Sequence, residues 1–422
     1  MKKARILLAL GGLSLLGLGA AVMAQNIAAP KYKYDGDWPK TMPNKWKVGG
    51  ITGLAVDKDD NVWIYDRPND LRDMELKAEL NPPSADCCTR PPSLIHIDKS
   101  GNVIGSIDPP QGHGMDVDNK GFIYAGNSVP GKGNTVRKYD PKSGQLLMEV
   151  PRVPIQPGGP DDEAEPPRVP GRGGPGPVGT FPAPGRGAPP FAADGANAGA
   201  RGGAGGGGGR GRGAALPPPT TEMIVGQIEE VRIDDGAHEL YAADSAFGGR
   251  VMVFDLDTFK FKRGWGAYGH KLSEINPAPE AHAYKAGGPF AKEFVGHLTL
   301  NISRDGLVYA ADRGGNRIHV TDKQGKFIKE IPVAPSTVGG AAGGVAFSPD
   351  KEQKLLYICD INNNTVWFIE RQSGKTIGRL GSMGENGGQF FGLHMVATDS
   401  KGVIYTGEVF NGERVQRFLP VK

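Results

Sequence analysis

Three histidines occupy the same place in a repeated strand pattern, and they are the strongest chemical signal in the sequence. His113, His297 and His394 each begin a short alternating run, as in HGMDVD, HLTLNIS and HMVATDS. Three protein ligands that leave a fourth position open are typical of a catalytic zinc site, and neutral imidazole is a common ligand. The sequence therefore predicts a zinc site if the fold brings the three runs together. The alternative is three independent histidines held by water and backbone.

Two arginines stand at matching positions in the same pattern. Arg67 follows Asp66 in WIYDR, and Arg313 follows Asp312 in YAADR. Guanidinium groups bind carboxylates and other oxyanions through paired hydrogen bonds. Two arginines near a metal would therefore suit a ligand that carries a carboxylate. The alternative is an ion pair between each arginine and the aspartate before it.

The elements that must position these side chains recur six times. Each copy has an alternating strand, a turn with Asp or Gly, a second apolar strand and usually an acidic residue or Asn. The copies begin at Gly53, His113, Glu229, His297, Gly343 and His394. Further strands follow most copies after turns such as PKSG and DKQG, which are hairpin signals. Six copies of four strands predict an all-β protein, a six-bladed β-propeller. An open solenoid is the alternative, but neither end of the chain shows a polar capping repeat.

Propeller geometry converts these repeat positions into positions around one axis. The first strand of each blade lines the central channel, so histidines in copies two, four and six lie about 120° apart on one rim. Arg67 and Arg313, in copies one and four, face each other across that rim. Copy four has one extra residue before its turn, so we expect a β-bulge to aim His297. The other five histidines show no such placement and are predicted to be structural or exposed: His96, His238, His270, His282 and His319.

The sixth copy is too short for four strands, because its pattern ends at Phe418. The missing outer strand is expected from residues 31–47, which would close the ring. The domain organisation that follows is one continuous propeller over residues 31–422. Blades one and two lie within residues 25–156, and blades three to six lie within residues 220–422.

A segment of different composition separates copies two and three. Residues 157–219 contain 20 Gly and 14 Pro among 63 positions. Such a segment cannot bury enough apolar surface to offset its ordering entropy, so it is predicted to be disordered. Its Arg-Gly pieces resemble RNA-binding segments. In an exported protein a flexible spacer or a sticky surface loop is favoured, and no nucleic-acid partner is predicted.

The first 24 residues read as an export signal. Lys2, Lys3 and Arg5 precede an apolar run, and the small residues of VMA precede a cleavage point before Gln25. An uncleaved membrane anchor is the alternative. Without the three leader bases, 46 basic residues balance 46 acidic ones, so the net charge points to no polyanionic partner. The mature protein is predicted to be periplasmic or secreted, with no transmembrane segment.

Three cysteines exclude a disulfide framework. Cys87 and Cys88 are adjacent, so they either form a vicinal disulfide or remain two free thiols in a loop. Disulfides are permitted outside the cytoplasm. Cys359 lies in the strand pattern LLYIC and is predicted to be a core residue without a disulfide to the pair.

The repeats resemble NHL repeats, and the order of motifs is similar to that of the six-bladed lyase domain of peptidylglycine α-amidating enzymes. The resemblance covers residues 46–418 outside the insert. The chain is also similar to secreted bacterial NHL-repeat proteins that carry a CC-x-x-P-P motif, here residues 87–92, and a WGAYG motif, here residues 265–269.

The lyase resemblance implies a role for each of the residues above. It implies that His113, His297 and His394 bind zinc and that Arg67 and Arg313 are catalytic. Two positions depart from the lyase pattern. The catalytic tyrosine of the third copy is replaced, since the chain reads Asp-Ser-Ala-Phe with Ala246 at its position.

The second departure is Met395, which replaces an acid that follows the last histidine and serves a structural calcium in the lyase family. The resemblance implies that the carbonyls of Leu54 and Met115 would be the other calcium contacts. Tyr268 of the WGAYG motif is a candidate for supplying a phenol in place of the missing tyrosine.

Three functional hypotheses follow. The first is an exported zinc enzyme, a lyase or hydrolase that acts on a small carboxylate-bearing or peptide ligand. The second is a non-catalytic propeller that binds protein, peptide or cell-wall glycan. The third is a subunit of an exported redox or secretion complex. The histidines and arginines favour the first hypothesis, whereas Ala246 and Met395 favour the second.

Export is testable without reference to function. We expect the exported protein to begin at Gln25, because the small residues before it suit signal peptidase. Intact-mass spectrometry of exported material measures this. A mass that retains Met1 would contradict cleavage.

Overall fold

The computed structural model describes residues 27–129, 133–154 and 217–421. The predicted signal peptide, residues 1–24, and residues 157–216 of the predicted insert lie outside the described residues. Within the described ranges, no helix combines the length and apolar character needed to cross a bilayer.

The described chain forms six four-stranded antiparallel sheets arranged as a β-propeller, which confirms the predicted fold. The first strand is β1 (Lys31–Asp35). Blade one contains β2 (Gly50–Val56), β3 (Val62–Arg67), β4 (Leu94–Ile97) and β5 (Val103–Ile107). Blade two contains β6 (Gly112–Val117), β7 (Ile123–Val129), β8 (Gly133–Tyr139) and β9 (Leu146–Glu149). Blade three contains β10 (Ile228–Asp234), β11 (Glu239–Asp244), β12 (Arg250–Asp255) and β13 (Phe261–Trp265).

The remaining blades repeat the same order. Blade four contains β14 (Leu298–Ile302), β15 (Leu307–Asp312), β16 (Arg317–Asp322) and β17 (Phe327–Pro332). Blade five contains β18 (Val345–Phe347), β19 (Leu355–Asp360), β20 (Thr365–Glu370) and β21 (Thr376–Leu380). Blade six contains β22 (Leu393–Thr398), β23 (Ile404–Glu408) and β24 (Val415–Val421). Short 3-10 helices lie in the loops at Pro43–Lys45, Pro68–Asp70, Lys77–Glu79, Ala246–Gly248, Ala267–Gly269, Leu272–Glu274 and Pro279–His282.

The two ends of the described chain share one blade. Strand β1 pairs antiparallel with β24, so that Lys31 lies opposite Val421 and Asp35 lies opposite Arg417. The Arg417 Nε donates to Asp35 Oδ2 at 2.9 Å. The predicted closure by an N-terminal strand is therefore confirmed, and backbone hydrogen bonds between the chain ends close the ring.

The core lies between blades. Each of the six apolar clusters in the described residues joins two neighbouring blades. A buried aromatic residue recurs at one position of every second strand: Trp63, Tyr124, Tyr241, Tyr309, Tyr357 and Tyr405. Burying one large apolar side chain contributes about 1.5–3 kcal/mol, so these contacts rather than any ion stabilise the ring.

Buried carboxylates at the end of second strands tie each blade to its own channel-lining strand. In four blades the carboxylate accepts a backbone N–H from the lead-in segment, the few residues directly before the first strand. The pairs are Asp66 with Gly49 (2.6 Å), Asp244 with Gly226 (2.7 Å), Asp312 with Gly296 (3.1 Å) and Glu408 with Phe391 (2.7 Å). The recurrent acid of the repeats therefore sets where the first strand begins.

The prediction of a β-bulge in copy four is wrong. The register of β14 with β15 runs without a break from Leu298 opposite Asp312, whereas register breaks occur in the first strands of blades one, two, three and six. His297 lies one residue before β14 and has a φ of 57°. Because His297 is outside the strand, a left-handed residue turns the backbone there and no bulge is needed.

As predicted, Cys359 forms no disulfide with Cys87 or Cys88. Cys87 and Cys88 form a disulfide with each other, which decides between the two hypotheses for this pair. They lie in the long loop between β3 and β4, where the Cys88 N–H donates to the Glu75 carbonyl at 3.3 Å. Cys359 is a free, buried residue of β19, so its predicted core position is confirmed.

The two ends of the insert are paired. The Val153 N–H donates to the Ile224 carbonyl at 2.9 Å, and the Ile224 N–H donates to the Pro151 carbonyl at 3.0 Å. Pro219, the last residue of the predicted insert, accepts a hydrogen bond from the buried Arg250 at 2.7 Å. The insert therefore leaves and rejoins the ring at one place, and its last residues contact blade three.

We expect that replacing residues 157–216 by a short Gly-Ser linker leaves the melting temperature within a few degrees of the full chain. The paired ends stay in place, and loop length changes the free energy by only about 0.6 kcal/mol per doubling. Extending the deletion through Pro219 should lower stability further, because the buried Arg250 loses an acceptor. Thermal unfolding of both variants measures this. A large loss from the shorter deletion would show that the insert packs on the ring.

Candidate metal centre

The three predicted ligands converge at one rim of the channel, here called the triad rim. His113, His297 and His394, the triad, offer ring nitrogens that all lie within 4.8 Å of one another. The ring centroids are 4.8 Å apart for His113 and His394, 4.9 Å for His113 and His297, and 5.5 Å for His297 and His394. Histidines separated by up to 281 residues therefore share one small volume.

The spacing of two nitrogens suits a shared ion. The Nε2 atoms of His113 and His394 are 3.3 Å apart. Two nitrogens at roughly 2.0–2.1 Å from one tetrahedral zinc ion would be separated by about 3.3–3.4 Å. The observed pair therefore needs no rearrangement to hold such an ion.

The protein environment keeps the triad uncharged. Burial lowers the pKa of His113, His297 and His394 well below the ordinary value, and the positive charges of Arg67 and Arg313 lower it further. Neutral imidazole has the lone pair that a metal requires, whereas imidazolium does not. Burial and the two arginines therefore both favour the neutral charge state that a histidine ligand requires.

Several triad nitrogens lack protein partners. His297 Nε2 is buried, and among the described residues it has no hydrogen-bond partner. Nδ1 of His113 and Nδ1 of His394 are also buried, and neither has a hydrogen-bond partner among the described residues. A buried polar atom left unpaired costs about 1–3 kcal/mol, and an ion on the ring nitrogens would remove part of that cost.

Two glycines allow His113 to reach the rim. A Cβ at Gly112 would lie 1.9 Å from the carbonyl oxygen of Gly126. Gly114 has a φ of 73°, and a Cβ there would lie 2.5 Å from the Cα of Glu230. The second strand of blade two and the first strand of blade three therefore approach closely on either side of the histidine, which only glycine permits.

Both predicted arginines lie at the triad rim. Arg67 ends β3, and Arg313 directly follows β15. Arg67 Nε donates to the carbonyl of Gly112, the residue before His113, at 3.3 Å. The preceding aspartates have other partners, because Asp66 accepts from the Gly49 N–H and Asp312 accepts from Arg317. The structure thus brings the arginines together with the histidines.

Glu229 is a site residue that the sequence analysis missed. It is 8% exposed, and its Oε1 lies 3.7 Å from Nδ1 of His297. Its Oε2 accepts the Leu298 N–H at 2.6 Å, and burial raises its pKa to about 8. Its position in the repeat could have identified it from the sequence, since Glu229 begins copy three as His113 begins copy two.

The hydroxyl of Tyr268 forms its hydrogen bonds away from the triad. Its hydroxyl donates to Glu330 at 2.8 Å and accepts from Arg317 at 2.7 Å, on the two outer strands of blade four. Burial raises its pKa to about 12. Ala246, at the position of the lyase tyrosine, is buried in a 3-10 helix. Neither residue places a phenol on the innermost strands that carry the triad.

The remaining histidines have structural or exposed positions, as predicted. His96 bonds to Asp57, His270 to Glu293 and His319 to the Tyr268 N–H; His282 is buried between two carbonyls and His238 is exposed.

A guanidinium lies where a calcium contact was expected. Arg232 Nη1 donates to the Met115 carbonyl at 2.8 Å and lies 3.3 Å from Oε1 of the buried Glu230. Met395 packs in the apolar cluster between blades six and one. A fixed cation already binds the Met115 carbonyl, and the apolar Met395 replaces the expected acid, so the structure does not support a calcium site.

A second cavity opens at the opposite end of the channel. Its volume is about 370 Å³, and it is lined by turns between first and second strands and by Leu54. Polar side chains lie on its wall: Asp116, Arg232, Asn301, Arg304 and Gln353. The two ends of the channel therefore differ, with imidazoles at one and mixed charges at the other.

Comparison with known proteins shows the fold and nothing finer. No family model matches the chain, and no curated protein matches it. A structural-genomics protein of unknown function from Bacteroides thetaiotaomicron VPI-5482, with a crystal structure at 1.70 Å, superimposes with a TM-score of 0.50. The two are 13% identical, and the match covers 94% of this chain and 77% of that chain. At this identity the likeness supports the propeller architecture alone.

The arrangement of Arg232 predicts that the ring does not depend on calcium. Adding calcium to calcium-free protein should leave the melting temperature unchanged, because a guanidinium already binds the Met115 carbonyl. Arg232→Met should lower the free energy of unfolding by about 3 kcal/mol, since Glu230 would lose its buried partner. Thermal and urea unfolding measure both effects. A rise of several degrees on adding calcium would contradict this assignment.

Proposed function

We propose that the protein is an exported, zinc-dependent propeller enzyme, a lyase or hydrolase acting on a small substrate that carries a carboxylate. The observation that carries this proposal is the triad. Its three neutral imidazoles offer nitrogens within 4.8 Å of one another, and three ring nitrogens of the triad are buried with no hydrogen-bond partner among the described residues. Structural zinc sites use four protein ligands, whereas three suit a site that keeps a position for substrate.

The charges around the triad favour an anionic substrate. A zinc ion held there would act as a Lewis acid toward a substrate oxygen. Arg67 and Arg313 come from facing blades and would bind a carboxylate or a developing oxyanion beside it. Arg67 Nε donates to the carbonyl of Gly112, and the Arg313 N–H donates to the carbonyl of His297 at 3.4 Å, which supports both arginines lying beside the triad.

The resemblance to NHL repeats and to amidating lyases supports the same class of chemistry. The matching positions are the three histidines and the two arginines. The lyase phenol has no counterpart, because Ala246 stands at its position and Tyr268 is bound by Arg317 and Glu330. We therefore propose metal-assisted cleavage of a carboxylate-bearing substrate without a tyrosine base.

A non-catalytic ligand-binding propeller is the second candidate. The cavity at the opposite end of the channel favours it, because about 370 Å³ with mixed polar and apolar walls suits a small ligand. Binding there would need neither metal nor the arginines of the triad rim.

Metal stoichiometry tests the first candidate. Zinc-loaded and dialysed protein should retain one equivalent, and His113→Ala or His394→Ala should lose it with an unchanged circular-dichroism spectrum. His297→Asn is the matching change in blade four, because asparagine tolerates the positive φ there. His238→Asn is the control, since His238 is exposed and also has a positive φ. Wild-type protein that retains well under one equivalent would contradict the proposal.

The arginines are tested by carboxylate binding to cobalt-substituted protein. Acetate should shift the visible cobalt spectrum, and Arg67→Met or Arg313→Met should weaken acetate binding by about 10–100-fold, as expected for a hydrogen bond to a charged group. Arg304→Met is the control, because Arg304 lines the cavity at the other end of the channel. Equal acetate affinity in all four proteins would exclude the arginines from ligand binding.

A further inference from the structure

We propose that Asn127 and Tyr65 are positioning residues that hold His113 at the triad rim through the backbone carbonyl of Pro110. This inference rests on the proposed metal function and adds to it the groups that place one of the three ligands. Both side chains are buried, with 1% exposure for Asn127 and 0% for Tyr65. Each is an exception to the repeat pattern at its own position, and the two exceptions meet at one carbonyl.

Asn127 is the first exception, because it replaces the recurrent acid of the second strands. The other five blades have an acid at this position: Asp66, Asp244, Asp312, Asp360 and Glu408. In four of those blades the acid accepts N–H groups of the lead-in segment. The lead-in segment of blade two contains Pro109 and Pro110, which have no N–H to donate. An amide can donate where a carboxylate cannot, and Asn127 Nδ2 donates to the Pro110 carbonyl at 2.6 Å.

Tyr65 is the second exception, at the position one residue before the recurrent acid. The other five blades have small residues there: Gly126, Ala243, Ala311, Cys359 and Gly407. The ring of Tyr65 extends from blade one to the lead-in segment of blade two. Its hydroxyl donates to the Pro110 carbonyl at 2.7 Å and accepts from Asn127 Nδ2. Neighbouring blades therefore supply two donors to one carbonyl.

The hydrogen bonds at this carbonyl matter for His113 because the strand ladder does not hold the histidine itself. The register of β6 with β7 breaks between Gly112 and Met115, so His113 lies within the break. On the side before the break, Gly112 pairs opposite Asn127, and the side chain of Asn127 holds Pro110. Loss of the donors at Pro110 would let this lead-in segment move, and the imidazole would move with it.

Two nearly isosteric variants test the proposal. Tyr65→Phe removes the hydroxyl and keeps the ring, whereas Asn127→Asp keeps the acceptor for the Tyr139 hydroxyl and removes the amide donor. Each should weaken zinc affinity, measured by chelator competition, by about 10–100-fold and alter the visible spectrum of the cobalt form. The negative charge of the new carboxylate would by itself attract zinc, so weaker binding by Asn127→Asp must come from geometry.

Tyr357→Phe is the matched control. Tyr357 is 2% exposed on the second strand of blade five, which supplies no triad ligand, and its hydroxyl lies 3.0 Å from that of Tyr32. This variant should lose some stability, yet keep wild-type zinc affinity and cobalt spectrum. Equal losses of affinity in Tyr65→Phe and Tyr357→Phe would overturn the proposal, because the effect would not be specific. Wild-type affinity and spectrum in both Tyr65→Phe and Asn127→Asp would also overturn it.

A measurement on metal-free protein separates this inference from the proposed function. Nitrogen-15 NMR of histidine-labelled protein reports the imidazoles, and His113→Ala identifies the signals of His113. We expect these signals to shift in Tyr65→Phe and to stay unchanged in Tyr357→Phe. Unchanged His113 signals in Tyr65→Phe and Asn127→Asp would overturn the positioning role whatever the metal content. Wild-type protein without stoichiometric zinc would instead overturn the proposed metal function.

Discussion

The hydrogen bond between a buried carboxylate and the lead-in segment of the same blade controls the geometry of the triad rim. Asp66, Asp244, Asp312 and Glu408 each end or follow the second strand and accept backbone N–H groups just before the first. The first strand can then start at only one height along the channel. Because a buried carboxylate without such partners is costly, blades one, three, four and six each hold the start of their first strand in place.

Neighbouring blades contribute different groups to the triad rim. Blades two, four and six supply imidazoles, and blades one and four supply Arg67 and Arg313. Blade three adds the Glu229 carboxylate, and blade five has Gly343 at the corresponding position of its repeat. An ion site built this way depends on the whole ring, yet the apolar clusters between blades stabilise the ring without it. The proposed ion site and the stability of the ring thus depend on different residues.

Much of the fold and of the candidate site could be predicted from the sequence, because the repeats of a propeller convert spacing along the chain into angles around one axis. The six blades, the closing N-terminal strand and the convergence of His113, His297 and His394 all follow from local patterns. Features that depend on strand register or on the length and direction of a side chain could not be predicted from the sequence. The bulge expected in blade four is absent because His297, whose backbone conformation is left-handed, turns the chain at that point. The hydrogen bond from Arg232 to the Met115 carbonyl and the engagement of Tyr268 by Arg317 depend on long-range packing that no repeat pattern encodes.

X-ray absorption at the zinc edge of zinc-loaded protein tests the central claim most directly, because it reports the ligands of the ion themselves. We expect three imidazole nitrogens at roughly 2.0–2.1 Å, with the outer-shell scattering of their rings and one further light atom. A sulfur shell at about 2.3 Å, or first-shell oxygen without imidazole scattering, would contradict a metal site formed by His113, His297 and His394.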